Sequence, residues 1–377
     1  MRLKLKRFIK KMLLNFRAFL FHLLSLFTFF LRRQKLEKDK VKNVLVIAQK
    51  RIGDTVVSIP AFRAIRNGLS QSRIFVFAPS YIRDIMERIG EIDHIIEFDS
   101  GLSLFNKAKK IREFSGFPYE LAIDLTCDYT LEGALLTFLS RAKYRVGYDT
   151  FGRGLLFNKS IPHKNRSIPM SEEILEITRS IGLDTKDKNL KITPSDLAQK
   201  EASQFLREQK VTEEELLIGI HPGGHYPTQR WLTDRFAELA DRLIERYPVK
   251  VVLLGGPKEL ELIDLIKNHM EKTPIFYVNK PVRNLLALIQ SCHLLLCNNS
   301  GPLHLATALE TPTVSLMGPT QPERWWPQGE GHTVLRKNLS CMPCNEGVCE
   351  RKTVECLKLI TVDEVFEAVK NQLAKLK

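Results

Sequence analysis

The run Val44-Leu45-Val46-Ile47-Ala48, led by Asn43, is unbroken and apolar, and it ends near a turn through Gly53 and Asp54. That pattern predicts a strand buried on both faces, as in a parallel sheet. A helical spacing over Val57–Ile65 follows, then strand-like Ile74–Phe77, helical Tyr81–Ile89, strand-like His94–Phe98 and helical Leu104–Ile111. Leu121–Asp124 and Leu131–Leu139 continue the alternation. Polar sequence from Gly182 to Glu215 interrupts it and reads as an interdomain connection. The pattern then restarts with strands at Leu216–Ile220, Val251–Leu254, Leu294–Cys297 and Thr313–Met317. Helices are expected at Asp234–Glu245, Leu260–His269, Leu285–Ser291, Pro302–Leu309 and from Val362 onward. Alternating strands and helices mean βαβ units. Two α/β domains are expected, residues 41–190 and 191–377, with ligands at the carboxyl ends of the strands and in a cleft between the domains.

Residues 1–40 differ from the rest. From Leu13 to Leu31 the chain is almost wholly apolar, broken by Asn15, Arg17, His22, Ser25 and Thr28. Arg17 inside a stretch barely long enough to span a bilayer favours a helix lying in the membrane surface through residues 1–34. A single-pass anchor is the alternative. Positive charge on both flanks favours keeping both ends in the cytoplasm, and no small-residue cleavage site follows Leu31.

Composition changes the picture in one respect. The 377-residue chain carries a formal charge of +14, which invites a nucleic-acid reading. Twelve Lys/Arg stand against two acids in the first forty residues, so the tail holds most of that charge and the body is nearly balanced. A nucleic-acid partner is thereby disfavoured.

Candidate chemistry lies where strands turn into helices. Asp54 follows a glycine and precedes a helix, which suits either a helix cap or a general base. His221-Pro222-Gly223-Gly224 ends a strand, and Gly223 allows close backbone approach to an anion. Arg230 adds a fork of donors suited to phosphate. Glu259, after Gly255-Gly256, suits ribose hydroxyls or a first helical turn. Asn299-Ser300-Gly301-Pro302-Leu303-His304 reads as a tight turn into a helix whose start would hold a pyrophosphate, with His304 one turn in. No G-x-G-x-x-G or P-loop spacing occurs, so ordinary dehydrogenases and nucleotide triphosphatases are disfavoured. No Asp-x-Asp pair at a strand end offers a catalytic metal site, and no cofactor is expected. Cys341, Cys344, Cys349 and Cys356 are spaced to hold zinc, to form two disulfides or to remain thiols; a cytoplasmic setting favours thiols or metal.

Taken in order, these segments resemble the heptosyltransferases of glycosyltransferase family 9, from about Asn43 to Val369. The carriers are Asn43–Asp54 with Pro60-Ala61-Phe62-Arg63-Ala64, His221–Trp231, Val251–Gly256, Asn299–Ala306, Gly318-Pro319-Thr320 and the cysteine segment. The resemblance implies a GT-B fold of two facing Rossmann-like domains. It implies inverting, metal-independent transfer from ADP-heptose to the inner core of lipopolysaccharide. By position, Asp54 matches the catalytic base, and Ser300, Gly301 and His304 match donor-diphosphate contacts. Glu259 matches an acid for the ribose. Members commonly carry Lys where Gln229 stands and Asp where Asn299 stands. Two rivals are a GT-B transferase using another nucleotide sugar, for O-antigen or capsule, and a catalytically silent membrane-bound binding protein.

Overall fold

Strand β1 (Asn43–Ile47) is buried at every position, as its unbroken apolar run predicts. In the computed structural model, which describes residues 9, 11–20, 35–48, 50–163 and 167–375, it is central to one of two parallel sheets. The first sheet also contains β2 (Arg73–Pro79), β3 (His94–Phe98), β4 (Leu121–Asp124), β5 (Tyr144–Asp149) and β6 (Lys159–Pro162). Its order is β3-β2-β1-β4-β5-β6, and every pairing is parallel. The second holds β7 (Leu216–His221), β8 (Val249–Gly255), β9 (Ile275–Val278), β10 (Leu294–Asn298), β11 (Thr313–Leu316) and β12 (His332–Leu335). Its order, β12-β11-β10-β7-β8-β9, is the same winding again. In such doubly wound sheets the strand order reverses beside the first strand, and ligands bind at that point, outside the carboxyl ends. The switch points are β1/β4 and β7/β10.

The chain divides into two units. One comprises Met1–Lys50, Val57–Arg166 and Met170–Asn189; the other comprises Arg51–Val56, Ser167–Pro169 and Leu190–Lys377. The short segment after β1 therefore groups with the second unit.

Each unit has its own core. Leu45, Ile47, Phe75, Phe77, Tyr119 and Leu136 pack together in the first. In the second, the helix Thr233–Arg246 buries Phe236, Ala237, Leu239, Ala240 and Leu243. Those positions form one helical stripe, pressed onto the strands with Trp231, Leu296 and Val365. The predicted single helix at Val57–Ile65 is two, Ile52–Val57 and Ile59–Gly68. The helix predicted over Tyr81–Ile89 shrinks to Arg83–Met86 after a 3-10 turn.

The anchor reading for residues 1–34 falls largely outside the described residues. Residues 11–20 are helical. Among the described residues no helix is long and apolar enough to cross a membrane.

Candidate functional site

At the second unit's switch point, β7 ends in His221 and β10 in Asn298. Asn298 is fully buried and ties three segments together. Its Nδ2 donates to the carbonyl oxygens of Pro222 (2.8 Å) and Gly223 (3.1 Å), and its Oδ1 accepts from the Trp231 amide at 3.0 Å. Sequence reasoning passed over Asn298 as a strand end. Its side chain fixes the glycine turn against the helix start of Gly301–Ala308. A glycine is required at 223, because a Cβ there would lie 2.6 Å from His221 Cε1 and 2.7 Å from Glu259 Cγ.

Glu259 thus borders the turn. Its Oε2 accepts the Gly256 amide at 3.0 Å, closing the loop before Leu260–His269. Arg230 donates through Nε to Gly224 O at 3.0 Å, which leaves its terminal amino groups beyond that bond. Gln229 Nε2 donates to Thr320 Oγ1 at 3.3 Å. Asn299 is buried, and its Nδ2 has no hydrogen-bond partner.

The helix Gly301–Ala308 begins with Ser300 in extended backbone, φ −149° and ψ 176°. Ser300 does not cap it. The hydroxyl turns back to donate to Asn298 O at 3.3 Å, so the first-turn amides are not satisfied by that side chain. Pro302, which has no amide hydrogen, sits in that first turn at no cost.

His304 lies in the second half of that turn, 5% exposed, its ring 5.6 Å from Trp325. Burial pushes its pKa down to about 4. It is therefore a neutral imidazole, able to donate one N–H but carrying no charge. Stability should fall on acidification as a result. The unfolded chain protonates this group near 6.5 and the folded chain only near 4. Between those values the folded state loses about 1.4 kcal/mol per pH unit relative to the unfolded; above 6.5 nothing changes. His221, also buried and lowered, adds in the same sense. Denaturant unfolding at pH 7 and pH 5 measures the drop, and His304→Gln should flatten it. An equally steep profile in that variant would assign the drop to other groups.

Positive charge comes from three residues that are far apart in sequence. Arg51 Nη2 lies 3.2 Å from His225 Nε2. Burial first, then the charges of Arg51, Lys258 and Arg230, hold the His225 ring below its ordinary pKa. Arg51 thus contacts His225 at the carboxyl edge of this sheet, and Lys258 and Arg230 lie near enough for their charges to act on the same ring. Only Arg230 was expected from sequence.

Asp54 stands inside its helix rather than before it. It lies in the first turn of Ile52–Val57, half-buried, with Thr55 N bonded to Arg51 O at 2.9 Å. An acid is favoured there by the helix dipole as well. The preceding residue places it: a Cβ on Gly53 would meet His304 Cδ2 at 2.8 Å, and one on Gly301 would meet Ile52 Cβ at 3.1 Å. Paired glycines thus let the Asp54 turn lie against the start of Gly301–Ala308. The turn that carries Asp54 therefore lies beside Gly301 and His304.

The first unit presents a different edge. Lys107, whose side chain is 8% exposed, holds Glu132 Oε1 at 2.7 Å, and Lys50 holds the other oxygen. Burial pushes the Glu132 pKa up, but the two lysines outweigh it and the net shift is down. Arg153 is fully buried beside Asp124, 3.8 Å away. Neither Lys107 nor Arg153 was picked out in the sequence.

Cys341, Cys344, Cys349 and Cys356 line one pocket with Thr228, Arg351 and Glu355. None of the seven cysteines is in a disulfide. Burial, then the neighbouring thiols, push Cys356 up to about 11, whereas the Val354 amide and those of Arg351, Thr353 and Lys352 pull Cys349 down. Among the described residues no group of three or more His, Cys, Asp or Glu is arranged to hold a metal ion. The segment buttresses the Arg230 loop: Thr228 Oγ1 donates to Glu346 O at 2.6 Å.

Two doubly wound units, one with an anion-suited edge at its switch point, define a glycosyltransferase of GT-B-like architecture. The profile of glycosyltransferase family 9 (heptosyltransferase) matches residues 108–355, well over half the chain, and the chain belongs to that family. Lipooligosaccharide heptosyltransferase 2 of Haemophilus ducreyi is 26% identical over 349 residues, covering 88% of this chain and 99% of that protein. The family 9 glycosyltransferase of Veillonella parvula is similar in fold, with a TM-score of 0.80 at 23% identity, covering 91% and 99%. The E. coli ADP-heptose lps heptosyltransferase II has a TM-score of 0.74 at 23% identity, covering 88% and 99%.

Proposed function

We propose that this enzyme transfers a heptose from ADP-heptose to the inner core of lipopolysaccharide, with inversion and without a catalytic metal. It does so at the cytoplasmic face of the inner membrane. The observation that carries the reading is the contact of Arg51 with His225, whose ring also feels the charges of Arg230 and Lys258, at the edge where Asn298 fixes the glycine turn. That edge is built for a diphosphate. The names of the relatives supply the sugar: one is an ADP-heptose transferase and another a lipooligosaccharide heptosyltransferase.

In the proposed reaction Asp54 takes the proton of the acceptor hydroxyl while its oxygen attacks the anomeric carbon of heptose. The bond from that carbon to the diphosphate breaks, and ADP leaves with the electron pair. The amides of the Gly301 turn, the neutral His304 N–H and the Arg230 fork meet the charge that develops on the diphosphate. Gly223 and Glu259 border the nucleotide, Glu259 as the acceptor of ribose hydroxyls. Asn299 adds an amide where an acid is common in the family.

A panel of nucleotide sugars tests the donor. ADP-heptose should be turned over in the presence of EDTA. Arg230→Ala should raise the donor KM by about tenfold or more, the range of one lost charge-assisted contact. Preference for a UDP- or GDP-sugar would assign the enzyme to another glycan. Metal analysis of the reduced protein decides between zinc and thiols at the cysteine pocket.

A further inference from the structure

The helix 11–20 presents two unlike faces. Leu14, Arg17 and Ala18 are half-buried against the first unit, at spacings of three and four. Met12, Leu13, Phe16, Phe19 and Leu20 point away, between 42% and 59% exposed, and Ile9 joins them at 42%. Lys11 and Asn15, both exposed, flank that apolar arc.

What holds the inner face is Arg17. Its Nε donates to Phe151 O at 3.0 Å, and its Nη2 donates to Tyr129 O at 2.9 Å and Thr150 O at 3.2 Å. These carbonyls belong to the loops that follow β4 and β5, at the carboxyl edge of the first sheet. The charges around it are Asp128 and Asp149, which favour its cation, and Arg153, which opposes it. The arginine that interrupts an otherwise apolar stretch thus faces protein.

We propose that helix 11–20 is a lipid-binding surface for an anionic bilayer and that Arg17 is the positioning residue fixing it to the carboxyl edge of the first sheet. This deepens the membrane part of the function proposed above. Five large apolar side chains and Ile9 face outward together. The surrounding tail, with twelve Lys/Arg against two acids in residues 1–40, is complementary to acidic headgroups. The consequence is orientation. The bilayer lies beside the loops after β4 and β5, so a lipid-linked acceptor meets that edge without leaving the membrane.

The test uses the full chain and unilamellar vesicles of phosphatidylethanolamine and phosphatidylglycerol, with phosphatidylcholine vesicles as the neutral control. The wild type should float with the acidic vesicles and less with the neutral ones. Leu13→Glu with Phe16→Glu should lower partitioning by about a hundredfold while leaving transfer to a detergent-dispersed acceptor unchanged. Arg17→Ala should still float, because the apolar face and the basic residues remain. Without vesicles its amides at 11–20 should exchange faster, and transfer to vesicle-embedded acceptor should fall about tenfold against the dispersed acceptor. Arg17→Lys should recover part of both. Flotation and exchange need no assumption about the sugar, so they can fail independently of the transferase reading. Wild-type flotation by the double Glu variant would overturn the lipid surface. So would a stable dimer covering that face with no vesicle binding. Unchanged exchange in Arg17→Ala would overturn the latch.

Discussion

Asp54→Ala is expected to lower turnover by about 10²–10⁴-fold while ADP still binds within a small factor of the wild-type affinity. In the proposed reaction the carboxylate takes the acceptor's proton, whereas the donor's charge is met by the Gly301 turn, His304 and Arg230. Asp54→Asn keeps the size and hydrogen-bonding capacity but accepts no proton, so it should be as inactive. Loss of fold is not the explanation. A first-turn acid contributes only about 0.3–1 kcal/mol to its helix. Steady-state kinetics beside calorimetric titration of ADP separates the two effects. Turnover near wild type in either variant would move the base elsewhere, and lost ADP binding would make Asp54 a structural residue of the donor site.

The largest stability effect is expected at Arg153. Its guanidinium is 0% exposed and donates to Tyr148 O at 2.9 Å, to Thr126 Oγ1 and Thr130 O at 3.2 Å, and to Thr126 O. Asp124, equally buried, faces it and has one oxygen without a hydrogen-bond partner. Burial pushes the Asp124 pKa up, and the charge of Arg153 works against that rise. Arg153→Met fills much the same volume but leaves the carbonyls and Asp124 unmatched. Removing one partner of a buried pair costs about 3–5 kcal/mol. Chemical denaturation should show that loss as a lower midpoint with an unchanged slope. A change below about 1 kcal/mol would mean that water replaces the guanidinium.

Most strands that were legible in the sequence are buried on both faces; the edge strand β3, buried at only two of its five positions, was legible as well. β1, β4 and β10 are buried at every position, and each reads as an apolar run. The missed strands β6, β9 and β12 are sheet edges. β12 is only half-buried throughout and β6 is exposed at both ends, so neither has to be apolar. β5, inside the sheet, was hidden by its polar residues Arg145 and Asp149. The missed helix Met170–Arg179 did leave a signal, with Pro169 before it and Glu172 and Glu173 in its first turn. At the site, Gly223 and Ser300–His304 could be read because strand, turn and helix are contiguous. Arg51 and Lys258 could not, because only the fold brings them to His225. Asn298 was hidden for another reason: a buried asparagine at a strand end looks like part of the strand until its three partners are seen.

In the reaction proposed above, the neutrality of His304 bears on product release. A buried cation in its place would grip the departing diphosphate as strongly as the reacting one, in surroundings where charge is poorly screened. Here the charge sits instead on Arg51 and Lys258, both exposed, and on half-buried Arg230. Water and salt screen such groups, and donor affinity should weaken steadily with ionic strength. On that reading the hold on the spent nucleotide is loosened by the same solvent that admits the next donor.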